Sequence, residues 1–168
     1  MTIPVTTLDH RYSDPRATAA GWDETRAALE GAELFWLSTV RADGRPHVTP
    51  VVAVWAEGAV CFSTGAEEQK FANLRANPHV VLTTGCNRWD RGLDVVVEGE
   101  AVQVTAEDTL ERIAAAFTTK WDGRWQFEVA DGGFHHPGGG AAAVFSVTPT
   151  TVFAHAKGEP FGATRHKF

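Results

Sequence analysis

The sequence predicts a mostly β, antiparallel barrel with helices at its rim, and three observations point there. Short runs of β-branched and aromatic residues recur along the chain, about seven of them, at the spacing of an all-β domain. Most are joined by tight turn dipeptides such as Asp43-Gly44 and Glu57-Gly58 rather than by long crossovers. Helical patterns are few and short, and they sit between strands as inserts.

Each element follows from local chemistry. Residues 1–20 are polar and read as an arm ahead of one domain spanning 21–168. GWDETRAALEGAE (21–33) is a short helix, with Trp22, Arg26 and Leu29 on one side and Asp23 and Glu24 set favourably near the positive end of its dipole. LFWLSTVR (34–41) is apolar, aromatic and β-branched, hence a strand. Asp43-Gly44 makes the hairpin, because that pair tolerates the positive φ angles a tight turn demands. The strand PHVTPVVAVW carries Pro46 and Pro50. Proline cannot donate to a ladder, so part of this strand must be an edge or must face something other than a neighbouring strand. Residues 46–51 are therefore the first pointer to a ligand or a partner.

Glu57-Gly58 turns the chain into AVCFST, and a helix around 67–76 stops at Asn77-Pro78, since the residue before proline avoids the α region. HVVLTT (79–84) is a strand and GCNRWDRG (85–92) a loop. DVVVEGEAVQVT (94–105) is a long strand whose Gly99 marks a bulge. Thr105 with Asp108 opens a capped helix, and Leu110, Ile113, Ala114, Phe117 and Trp121 form its buried stripe. ADGGFHHPGGG (130–140) reads as a flexible glycine-rich loop, and AAAVFSVTPTTVFAHA as two strands around a Thr148-Pro149 turn. KGEPFGATRHKF closes the chain.

Bulk properties narrow the function. The chain has 168 residues, 43% apolar and 21% charged, enough for one domain with a sizeable core. A net charge of −6 argues against a nucleic-acid partner. No apolar run approaches the roughly 18–20 residues that span a bilayer, which argues against a membrane. MTIPVTTLDHRYSDP lacks the charged and apolar regions of a signal peptide, and Cys61 and Cys86 are too few for a disulfide framework, so a cytoplasmic, reduced protein is expected.

Chemistry gathers in CFSTGAEEQKFANL (61–74). Thr64-Gly65-Ala66-Glu67 fits a capping box, in which Thr64 only satisfies free helix amides. The same stretch also fits an anion seat, where backbone N–H groups and the helix dipole point outward and Lys70 adds a formal charge. Glu67 and Glu68 count against a large phosphate cluster. Both readings stay open at this point. Cys61 reads as a buried small hydrophobe, His135-His136 lack partners at metal-ligand spacing, so no metal is expected, and Trp36 and Trp89 are the tryptophans that could wall a substrate pocket.

The succession FWLSTVRADGRPHVTPV, CFST, EEQKFANLRANPHVVLTT and DVVVEGEAVQV resembles the pyridoxamine-5′-phosphate-oxidase-like, FMN-binding split β-barrel superfamily over roughly residues 30–156. The resemblance implies an obligate homodimer with two cofactor sites at its interface. It implies that the ring lies along His47, Val48, Thr49, Pro50 and Val51. It also implies that Ser63, Thr64 and Lys70 anchor the phosphate, with Asn73 nearby. Two departures weaken the case for plain flavin mononucleotide. Gln69-Lys70 stands where many FMN-binding members carry Arg-Lys, and Asp94 stands where many carry a cofactor-touching glutamine.

The tail KGEPFGATRHKF is similar to the closing segment of the actinobacterial flavin/deazaflavin oxidoreductase branch, several of whose members use coenzyme F420. Lys157, Arg165 and Lys167 against Glu159 make a positive island suited to a polyanionic cofactor tail, with Arg165 the candidate contact. The tail lacks the arginine-and-histidine motif expected of a pyridoxamine-phosphate oxidase proper. The resemblance thus implies a deazaflavin-dependent oxidoreductase that passes hydride to a small conjugated acceptor, with an FMN-dependent oxidase-related enzyme as the alternative. A non-catalytic deazaflavin or haem carrier on the same scaffold is the other class. His47 is either a proton donor or an ordinary edge-strand residue, and no catalytic side chain is assigned.

Overall fold

The computed structural model describes residues 3–138 and 140–168. Among them run ten strands and three α-helices: β1 (Val5–Leu8), α1 (Trp22–Gly31), β2 (Leu34–Val40), β3 (Pro46–Ala56), β4 (Ala59–Gly65), α2 (Gln69–Ala76), β5 (His79–Thr84), β6 (Gly92–Val104), α3 (Glu107–Lys120), β7 (Glu128–Ala130), β8 (Gly133–His135), β9 (Ala141–Lys157) and β10 (Gly162–Lys167), with one 3-10 turn at His10–Tyr12. Six strands close a barrel in the order β9-β4-β3-β2-β5-β6 and back to β9, every pair antiparallel. β10 continues the sheet beyond β9, and β1 pairs with β10.

Two cores follow from strand alternation. Val60 and Phe62 of β4 point into the barrel with Phe35, Leu37, Leu82, Val95 and Val97, joined by Leu29 of α1 and Leu74 of α2. Ala59 and Cys61 point the other way, onto Leu110, Ile113 and Phe117 of α3. β4 is thus covered on both faces, which is why AVCF is apolar throughout. Burial pushes the Cys61 thiol up to about 12, so it packs as an inert small hydrophobe.

Glu57 and Gly58 both adopt positive φ (54° and 77°), the two-residue hairpin their sequence demanded. Gly99 is the expected bulge. The β6–β9 register slips there, and a Cβ on Gly99 would meet the Thr148 carbonyl oxygen at 2.6 Å.

Several expectations are corrected. Residues 141–157 form one 17-residue strand, not two around a turn. Pro149 is tolerated because it sits opposite the Gly99 bulge, where β9 also leaves β4 for β10. Residues 128–135 form the β7–β8 hairpin rather than a flexible loop, held by fully buried Phe134 stacked on Phe127 at 4.6 Å between centroids; Gly139 of the expected 130–140 loop lies outside the described residues. The 1–20 segment is tied down through β1, Met1 and Thr2 lying outside the described residues. Thr105 does not cap α3, whose N-cap is Ala106 without a side-chain bond; Glu107 and Asp108 face the helix dipole instead. Trp121 lies one residue past α3 and stacks on Phe117.

Candidate functional site

The site begins where two strands part. β3 pairs with β2 from Pro46 to Val52, but with β4 only from Ala53 to Ala56. From Val52 back to Pro46 its β4-side edge is therefore open, and β4 instead continues along β9 to Gly65. Pro46 and Pro50 lie in this stretch, where their missing N–H groups break no β3–β4 ladder.

Between the parted strands lies a cleft of about 160 Å³ lined by Pro50, Val51, Val52, Ser63 and Lys70. Phe117, Trp125 and Phe127 close its far side. Phe117 was expected only in the buried stripe of α3, and Trp125 and Phe127 had no assigned role, because all three come from α3 and the segment after it, remote from the strand motifs. Alternation splits residues 47–51 between two faces: Val48 and Pro50 are exposed, while Val51 is buried in the barrel core.

Next to the cleft, α2 starts later than its sequence spacing implied. Gln69 is its first residue and Glu68 its N-cap, so the Thr64–Glu67 capping box does not form. Thr64 Oγ1 donates instead to Glu68 Oε1 at 3.1 Å, the Gly65 N–H donates to the same oxygen at 2.8 Å, and Lys70 Nζ pairs with Glu68 Oε2. Partial burial would raise the Glu68 carboxyl, but the Lys70, Gly65 and Thr64 hydrogen bonds outweigh it and hold it below its ordinary value.

Asn73 faces inward. Its side-chain amide donates to Thr39 Oγ1 at 2.8 Å and accepts from Gln69 Nε2 at 2.8 Å. Thr39 Oγ1 lies 3.4 Å from His47 Nδ1, so a polar chain runs from α2 to the open stretch of β3. Asn73 is buried in that chain and does not line the cleft.

Arg165 is not brought to this cleft. It sits on β10, three strands from β3, and lines a larger cleft of about 840 Å³ with Phe153, His155, Phe161 and Tyr12. The positive island of the tail is smaller than its residue count implied, because Lys157 Nζ lies 2.8 Å from Asp94 Oδ1 and also donates to the Cys86 carbonyl. That pairing raises Lys157 and neutralises the Asp94 carboxylate.

The outer sheet face beside the cleft is apolar. Pro50, Trp36, Thr83, Val96 and Phe153 form one lateral row across β3, β2, β5, β6 and β9. Trp36 is 53% exposed and its flanking Leu34 and Val48 are as open. Trp89 stands 89% exposed on the 85–91 loop, away from the small cleft. Among the described residues no group of three or more metal-ligating side chains is assembled, and no helix is long and apolar enough to cross a membrane.

Residues 22–156 match the pyridoxamine 5′-phosphate oxidase family. A pyridoxine/pyridoxamine 5′-phosphate oxidase from Acidothermus cellulolyticus is 31% identical over 144 residues, 71% of this chain and 63% of that protein. The chain thus spans under two thirds of that curated relative. A conserved hypothetical protein from Mycobacterium tuberculosis superposes with a TM-score of 0.69 at 17% identity, covering 88% of this chain and 91% of that one. An FAD binding protein from Mycobacterium smegmatis superposes at 0.58 and 19% identity, covering 90% and 100%. These structural likenesses bear on the fold, a six-stranded split barrel.

Proposed function

The chain belongs to the pyridoxamine 5′-phosphate oxidase family, and on that premise we propose that it is a homodimeric oxidoreductase binding coenzyme F420 along the open edge of β3. Its substrate is a small conjugated acceptor. The observation that carries this reading is the unpaired stretch Pro46–Val52 beside the buried ammonium of Lys70. Backbone groups of an open edge can hydrogen-bond the heteroatom rim of a planar ring, and Lys70 with Ser63 can hold a phosphate attached to it.

A cleft of about 160 Å³ falls below the roughly 300–1,000 Å³ of ligand sites, so one protomer supplies only part of the site. The exposed row through Trp36 and Pro50 adjoins the cleft, and a second copy packed there completes it. When bound, the reduced deazaflavin supplies hydride, which is the cofactor's own chemistry. The protein's part is to orient the ring on β3, exclude water with Phe127 and Trp125, and present His47, steadied by Thr39, at the strand's far end. Arg165 of the other copy is the candidate contact for the acidic cofactor tail, since it carries no ion pair among the described residues.

The alternative is an FMN-dependent oxidase-related enzyme, favoured by the name of the 31%-identical relative. Equilibrium titration of the purified protein with coenzyme F420 and with FMN, followed by absorbance and fluorescence, decides. Tighter binding of F420 is expected, tighter FMN binding favours the alternative, and binding of neither overturns the reading.

A further inference from the structure

We propose that Glu68 is a displaceable anion that fills the phosphate seat when no ligand is bound, and that it thereby reserves the site for ligands carrying a phosphate. The inference rests on the cofactor reading above and deepens it by assigning a residue that sets ligand selection.

Three donors of different kinds converge on this one carboxylate: a hydroxyl (Thr64), a backbone N–H (Gly65) and an ammonium (Lys70). Such a set suits a tetrahedral oxyanion as well as a carboxylate. The donors are fixed and the acceptor is free to leave. Lys70 is 7% exposed and Thr64 2%, whereas the Glu68 side chain is 48% exposed on the solvent side. Glu68 is also the N-cap of α2 in extended backbone conformation, and its side chain makes no capping bond to that helix, so rotating the carboxylate away unwinds nothing.

A purely structural role for the carboxylate is less economical. The loop 65–68 is already closed by the Glu68 N–H to Gly65 carbonyl bond at 3.2 Å, and the helix start by the bonds of Phe71 and Ala72 to the Glu68 carbonyl. Charge supports the same conclusion. With Glu68 in place the only ammonium at the seat is neutralised, and exposed Glu67 adds a further negative charge. An incoming phosphate must therefore replace Glu68 rather than join it, while a ring lacking phosphate gains nothing by displacing it.

The test compares wild type with Glu68→Ala and Glu68→Gln by equilibrium titration with F420, FMN and riboflavin, which shares the flavin ring and lacks the phosphate. Glu68→Ala is expected to tighten F420 and FMN about tenfold, the scale of one charge-assisted contact released, with riboflavin unchanged. Glu68→Gln, which keeps an acceptor for Gly65 and Thr64 but loses the pairing with Lys70, is expected to move the same way by less, and it serves as the fold-preserving variant if the alanine protein is unstable. Unchanged or weaker phosphate-ligand binding in a folded variant overturns the proposal, as does equal tightening of riboflavin. Wild-type binding of F420 or FMN upholds a phosphate-bearing cofactor site whatever the variants do, the tighter ligand deciding between the two readings above. Failure of all three proteins to bind either one overturns that reading and this inference together.

Discussion

Lys157 at the end of β9 and Asp94 near the start of β6 meet at 2.8 Å, and the same ammonium reaches the Cys86 carbonyl of the intervening loop. The pair joins the two longest strands at the point where the barrel face meets the 85–91 loop. It also decides what Asp94 presents to an anionic ligand: a neutralised pair in place of a bare carboxylate.

Lys157→Ala should accordingly weaken binding of the anionic cofactor about 2–5-fold, as expected for a solvent-screened pair, and the double variant with Asp94→Gln should restore it. Fluorescence titration reads both. An intact affinity in the single variant would show that Asp94 lies beyond the cofactor's field.

Lys70→Ala should weaken F420 or FMN by about 10–100-fold, since one charge-assisted phosphate contact is lost from a buried position. Riboflavin binding should barely change. Equal loss for all three ligands would assign Lys70 to packing.

Arg165→Ala should cost F420 more than FMN, because only the former carries an extended acidic tail. A point substitution is the right probe. β10 is hydrogen-bonded on both edges and buries His166, so deleting residues 161–168 would remove structure as well as charge.

Trp36→Glu, in the apolar outer row, should weaken the proposed dimer on the order of 100-fold, the cost of losing an exposed aromatic anchor. Multi-angle light scattering across a dilution series checks it. A wild-type protein that stays monomeric would contradict the two-copy site.

His166 predicts an acid-sensitive stability. Its ring is fully buried, with Nδ1 at 2.9 Å from Thr6 Oγ1 and Nε2 at 2.9 Å from Thr25 Oγ1, and burial lowers its affinity for a proton. The folded state therefore favours neutral His166, and the unfolded chain takes up the proton first. This contribution is complete above about pH 6.5 and is lost as pH falls through the depressed folded value. Melting temperature against pH should show the decline in wild type, and His166→Leu should flatten it while costing about 1 kcal/mol, since Thr25 keeps its bond to the Gly21 carbonyl and the exposed Thr6 hydroxyl turns to water.

What the sequence revealed was what short-range chemistry controls. Pro46 and Pro50 announced an open edge, Glu57-Gly58 a hairpin and Gly99 a bulge, because each acts through its own backbone. Pro149 misled, since a proline inside a strand becomes acceptable only opposite a bulge that lies some fifty residues earlier. The β7–β8 hairpin was hidden by its glycines; long-range contacts order it, the pairing of β8 with β9 and the packing of Phe134 on Phe127 and Phe117. At the site, the hydroxyl–glycine–acid spacing pointed to a capping box with Glu67, yet the helix begins two residues later and hands the role at Thr64 to Glu68. No local signal could pair Lys157 with Asp94.

The pairing of β1 with β10 has a consequence during synthesis. Thr6 and His166 are 160 positions apart, so β1 leaves the ribosome long before β10 can pair with it. At about 5–20 residues per second that interval is roughly ten to thirty seconds. Throughout it, the backbone edge of β1 that later pairs with β10 has no partner and stays open to other pairings.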